Sequence, residues 1–131
     1  MLELFFDQAN RILWVRYAMT VTGENLAQMD RATAAFMAGQ GVVDMILDFS
    51  DAPPGVIDTS LMRTRAKTYS VAPRQRRALI APDDHMFGMF RMYISYRDGD
   101  QQGSAPILVR TMAAALTALQ VEPSTFKPIK I

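Results

Sequence analysis

The chain of 131 residues contains no cysteine and a single histidine, His85. The first absence removes disulfides, thiolate metal sites and a cysteine nucleophile. The second removes any multi-histidine metal centre, and neither a Ser/His/Asp arrangement nor an H-E-x-x-H spacing surrounds His85. The seven glycines form no phosphate-cradling loop, so nothing points to a nucleotide cofactor. Charge of one sign is also lacking: the formal net charge is +1, whereas a dedicated nucleic-acid binder carries a strongly basic domain. No apolar run approaches the ~20 residues that span a bilayer. No basic leader precedes an apolar core, so no secretory signal is visible. These absences set the expectation of a soluble cytoplasmic protein with no metal, no cofactor, no nucleic-acid partner and no transmembrane segment.

What is present is an ordinary globular mix, 50% hydrophobic and 21% charged, which with this length predicts one domain over residues 1–131. The runs LELFF (2–6) and RILWVRYA (11–18), joined by Asp7-Gln8-Ala9-Asn10, predict an antiparallel hairpin. In its second strand Leu13, Val15 and Tyr17 share one face, and Trp14 and Arg16 the other. Thr22 offers a cap to a helix whose stripe is Leu26, Met29, Thr33, Phe36 and Met37, stopped by Gly39-Gln40-Gly41. VVDMILDF (42–49) has the few polar breaks of a strand covered on both faces.

After the turn SDAPPG, a helix is expected from Asp58 to about Tyr69, with Pro73 marking its end. RALIAP (77–82) reads as a third buried strand. Asp83-Asp84 cap a helix reaching about Arg97, and DGDQQGSA (98–105) is a loop. PILVR (106–110) reads as a fourth buried strand and Thr111 caps the helix TMAAALTAL. The tail 121–131 is expected to be irregular. The order β-β-α-β-α-β-α-β-α implies an α/β fold: one mixed, mostly parallel sheet of about five strands, with an N-terminal antiparallel hairpin and about four helices.

That order, with a helix opening at VIDTSLM after the strand MILDF, resembles the STAS domain. Bacterial anti-sigma-factor antagonists are its best-known members, and a divergent branch also resembles certain lipid-transfer domains. The antagonists carry a hydrophobic-Asp-Ser-Ser/Thr-Gly-Leu signature at this helix start. Here Ile57, Asp58, Thr59 and Ser60 match its first four positions, and Leu61 stands where the family has glycine. The resemblance implies a non-enzymatic regulatory module that acts through protein partners, with Ser60 as the candidate for phosphorylation by a partner kinase.

Three segments carry the candidate sites. Asp58, Thr59 and Ser60 are either a helix cap or a switch: a phosphate on Ser60 would meet the positive end of the helix dipole but stand beside Asp58. Behind them Arg63, Arg65, Lys67, Arg74, Arg76 and Arg77 come with no acid before Asp83. This is either a solvated face or a docking surface for an acidic partner, with Arg63, Arg65 and Lys67 at its centre. Arg63 and Lys67, four apart, share a face, and Arg65 points elsewhere.

The third segment is HMFGMFRMYISY (85–96), where Met86, Phe87, Met89, Phe90, Met92 and Tyr93 spread over three stripes although a surface helix needs one. The surplus is core, the seam of a homodimer, or a pocket for a lipid or other apolar small molecule. His85 receives no catalytic role. Asp44 and Asp48, four apart on one strand face, lie roughly 13 Å apart, too far for a paired-carboxylate site. No catalytic constellation is visible, and no enzyme is expected.

Overall fold

The computed structural model describes residues 1–67, 75–97, 105–122 and 125–130. In chain order these form β1 (Leu2–Asp7), β2 (Ile12–Tyr17), α1 (Gly23–Gln40), β3 (Asp44–Asp48), α2 (Thr59–Ala66), β4 (Arg77–Ile80), α3 (Asp84–Arg97), β5 (Ile107–Val109), α4 (Met112–Ala118) and β6 (Lys127–Ile129). They build one six-stranded sheet in the order β5-β4-β3-β2-β1-β6.

The hairpin pairs Leu2 with Tyr17 through Asp7 with Ile12. Its turn is held by the Asp7 carboxylate, which accepts from the Ala9 amide at 3.1 Å and from the Asn10 side chain at 2.8 Å. This is the local bonding for which aspartate is favoured in turns. Arg11 closes the turn in the left-handed region, at φ 52.

From β2 onward each strand pairs in parallel with the next, through β3 and β4 to β5. Successive steps in one direction with right-handed crossovers place the connecting helices on one face. Accordingly α1, α2 and α3 pack together against Leu13, Val15 and Tyr17 of β2, Met45 and Leu47 of β3 and Leu79 of β4. The opposite side chains, Ile12, Ile46, Ala78 and Ile80, meet Ala115 and Leu119 of the α4 region. Period-two alternation therefore divides the strands between two cores.

The caps follow chemistry visible in the sequence. The Thr22 hydroxyl accepts from the Asn25 amide at 3.1 Å, and the Thr111 hydroxyl from the Ala114 amide at 3.1 Å. Asp83 serves α3, accepting from the Met86 amide at 3.0 Å. Gly41 ends α1 at φ 84, and its N–H donates to the Met37 carbonyl at 2.8 Å.

Two expectations are corrected. Part of the tail is a strand, since β6 pairs antiparallel with β1, Pro128 opposite Phe5. An edge strand tolerates the missing proline N–H. At the other edge, β5 is not a buried strand: Ile107 remains 38% exposed, because a terminal strand has a neighbour on one side alone. The expected helix extension to Tyr69, the stop at Pro73 and the loop at 98–104 fall outside the described residues.

Candidate functional site

The start of α2 is built by the loop that leaves β3. Ile57 is buried and anchors it, while Val56 beside it is 93% exposed. Asp58 is the N-cap, in extended backbone at φ −69 and ψ 123. One of its oxygens accepts both the Ser60 amide, at 2.9 Å, and the Ser60 hydroxyl, at 2.8 Å. The hydroxyl bond and then the amide bond hold the Asp58 carboxyl below its ordinary value. Thr59 and Ser60 are exposed in the first turn.

Leu61, the residue that departs from the antagonist signature, has a structural task. It is half-buried, packs onto the main core and reaches the start of α1, where its Cδ1 faces Gly23. A Cβ at Gly23 would meet that methyl at 3.6 Å, ordinary contact. The two helix starts thereby flank an open groove lined by Val21, Thr22, Gly23, Val56, Asp58, Ser60, Leu61 and Thr64.

The basic side chains behind the cap diverge. Arg63 and Lys67 are exposed. Arg63 lies 5.3 Å from the ring centre of Tyr96, and the Tyr96 hydroxyl helps hold its guanidinium above its ordinary value. Arg65 turns inward and makes a two-pronged pair with Asp30 of α1, at 3.0 and 2.8 Å. Burial works against the Arg65 charge, but the hydrogen bond and charge of Asp30 outweigh it, so the guanidinium stays above its ordinary value. Arg76 pairs with Asp44 at 2.8 Å. Arg74 lies outside the described residues.

On α3, Met86, Met89, Phe90 and Tyr93 are buried against the sheet and follow one helical stripe, which ends at the buried Arg97. Phe87 and Met92 are half-buried at its margins. Phe87 is covered by Arg110, whose guanidinium lies 4.1 Å from the ring centre. His85 is exposed. Among the described residues no three His, Asp or Glu side chains are grouped so that they could hold a metal ion, and no helix is long and apolar enough to cross a membrane.

One cluster escaped the sequence reading. On the α4 face of β2 and β3, the buried Asp48 carboxylate accepts from the Trp14 indole N–H at 3.0 Å and from the Ser50 amide at 2.9 Å. Beside it Arg16 bridges Glu3, at 3.2 Å, and Asp51. The signal available was alternation, which places Trp14 and Arg16 on one face and Asp48 across the parallel neighbour.

Comparison with known protein families, characterised proteins and solved structures finds no match to this chain.

Proposed function

We propose that the chain is a non-enzymatic regulatory module that binds another protein through the start of α2. The observation that supports this reading most is Val56, 93% exposed on the loop that delivers Asp58 and Ser60. Val56 is the most exposed of the large apolar side chains among the described residues, and a partner that covers it would bury that surface. Ile57 anchors the loop from the other side, so Val56 is presented on a fixed stem.

The same surface carries the exposed Ser60 hydroxyl and, one and two turns on, Arg63 and Lys67. A partner with an apolar residue for Val56 and acidic residues for these cations fits that combination. Ser60 then supplies control. Phosphorylation adds between one and two negative charges next to Asp58 and takes away the hydroxyl that Asp58 now accepts. The resulting negative patch repels an acidic partner.

Photo-crosslinking in living cells tests the reading. A photoreactive residue at position 56 is expected to give one heterologous adduct. The same residue at the exposed Glu122 should not give it, and Ser60→Asp should suppress it while Ser60→Ala retains it. Equal adducts from positions 56 and 122, or none from 56, would count against the docking surface.

A further inference from the structure

Between the inner face of the sheet and helices α1, α2 and α3 lies a cavity of about 30 Å³. Most of its wall is core: Leu47, Leu79, Met62 and Phe90 contribute apolar surface. The remainder is unlike a core. Arg65, Arg77 and Tyr93 also line it.

Arg77 enters because β4 starts with its side chain on the face that Leu79 shares, directed at the helices. Burial draws its guanidinium below its ordinary value, with the Tyr93 hydroxyl working in the other direction and the nearby charge of Arg97 adding to the burden. Arg97 closes α3 just behind Tyr93. It is 3% exposed, its Nη1 donates to the Tyr93 hydroxyl at 3.5 Å, and its guanidinium lies 5.9 Å from the ring centre.

Nη2 of Arg77 and both Nε and Nη2 of Arg97 are buried without a hydrogen-bond partner. Guanidinium groups do not deprotonate in proteins, so their positive charge cannot be discarded. Asp30 on Arg65 is the one carboxylate paired with any of the three arginines among the described residues. Buried charges without partners are strongly disfavoured, and unused donors mark where an acceptor belongs.

We propose that this cavity is a binding site for a small monocarboxylate such as formate or acetate, whose oxygens accept from Arg77 beside the Tyr93 hydroxyl, with the buried Arg97 guanidinium behind Tyr93 adding positive charge. A carboxylate matches the planar fork of a guanidinium in two parallel bonds. The apolar walls favour a short aliphatic tail over a phosphate dianion, which would need donors on every side. The size sets a limit: about 30 Å³ admits one or two waters, so only the smallest carboxylates, formate or acetate, enter, and the walls must give slightly for the methyl of acetate.

The test is thermal unfolding of the full chain at fixed pH and ionic strength, with sodium formate or acetate replacing chloride, and with inorganic phosphate as a further arm. Formate or acetate is expected to raise Tm saturably, by about 5 °C at a tenfold excess over Kd. Arg77→Met should abolish the rise, and Arg91→Met, on the exposed side of α3, should keep it. No rise above chloride, an equal rise with phosphate, or a rise that survives Arg77→Met overturns the site. Should Arg77→Met not fold, the wild-type protein decides: ¹³C-methyl acetate is expected to show NOEs to the Leu47, Leu79 or Met62 methyls. Their absence overturns it.

Discussion

Asp48→Ala probes a buried carboxylate on the α4 face of the sheet. Asp48 is 8% exposed and bonds the Trp14 indole N–H at 3.0 Å, while its other oxygen takes the Ser50 amide at 2.9 Å and the Ser50 hydroxyl at 2.5 Å. Hydrogen bonds to a charged group contribute about 1.5–3 kcal/mol each. Ser50 is exposed, so water replaces most of what its bonds lose. Trp14 is flanked by Phe5, with ring centres 4.6 Å apart, and Phe126, at 5.4 Å, so its N–H is poorly placed to find water. The expected loss is therefore about 2–3 kcal/mol, set mainly by the stranded indole. Asp48→Asn keeps an acceptor and should lose about half as much.

A double-mutant cycle with Trp14→Phe isolates the bond, since phenylalanine keeps a ring between the neighbours and removes the N–H. Urea unfolding followed by far-ultraviolet circular dichroism suits the cycle, because Trp14 is the sole tryptophan and fluorescence vanishes with it. A coupling of about 1.5 kcal/mol is expected. A coupling within about 0.5 kcal/mol of zero would refute the reasoning, whatever the single variants cost.

Two further outcomes follow from the inner face. Burial pushes the Tyr17 hydroxyl up to about 12 from an ordinary value of 10.0, so neutral Tyr17 contributes stability that is whole below pH 10 and is lost as pH rises through 12. Tyr17→Phe, which loses the bond to the Thr20 carbonyl, should be less stable at pH 7 by about 1 kcal/mol. It should close that gap between pH 10 and 12; parallel alkaline stability curves would exclude this. Asp30→Ala leaves Arg65 partly buried without its pair. With 51% of the Asp30 side chain and 25% of the Arg65 side chain exposed, urea unfolding should read a loss of about 1–2 kcal/mol, below the range of fully buried pairs. Asp30→Ala/Arg65→Met should recover most of it.

Much of the fold was legible because local chemistry and global topology agree. The hairpin turn, the helix caps at Thr22, Asp58 and Thr111 and the two faces of β2 all stand where residue type places them. β6 was not legible: three residues containing a proline carry no burial signal, and only the free edge of β1 makes them a strand. The exposure of β5 was hidden for a related reason, since an apolar triplet does not reveal that it ends a sheet.

Charge was harder to read than shape. Arg65 counts among exposed cations in the sequence, yet its partner Asp30 lies 35 residues away. Arg77 looks like the lead-in to a strand, and Arg97 like the charged end of a helix. Arg97 meets Tyr93 by i, i+4 spacing on α3, but only the packing of α3 against the sheet brings Arg77 to the same hydroxyl. The three apolar stripes of α3 resolve similarly: one stripe is core, and its marginal members Phe87 and Met92 are half-covered by neighbours no periodicity could name.

Native mass spectrometry of the protein isolated from its own cells most directly tests the central claim, that the start of α2 docks a protein partner under the control of Ser60. The account predicts a stoichiometric complex of this chain with a second, different protein, absent when Val56 is changed to Asp. It also predicts a phosphorylated fraction, mapping to Ser60, found in the uncomplexed chain alone. A chain that runs free of any second protein, or a complex that carries phosphate on Ser60 and survives Val56→Asp, would contradict it.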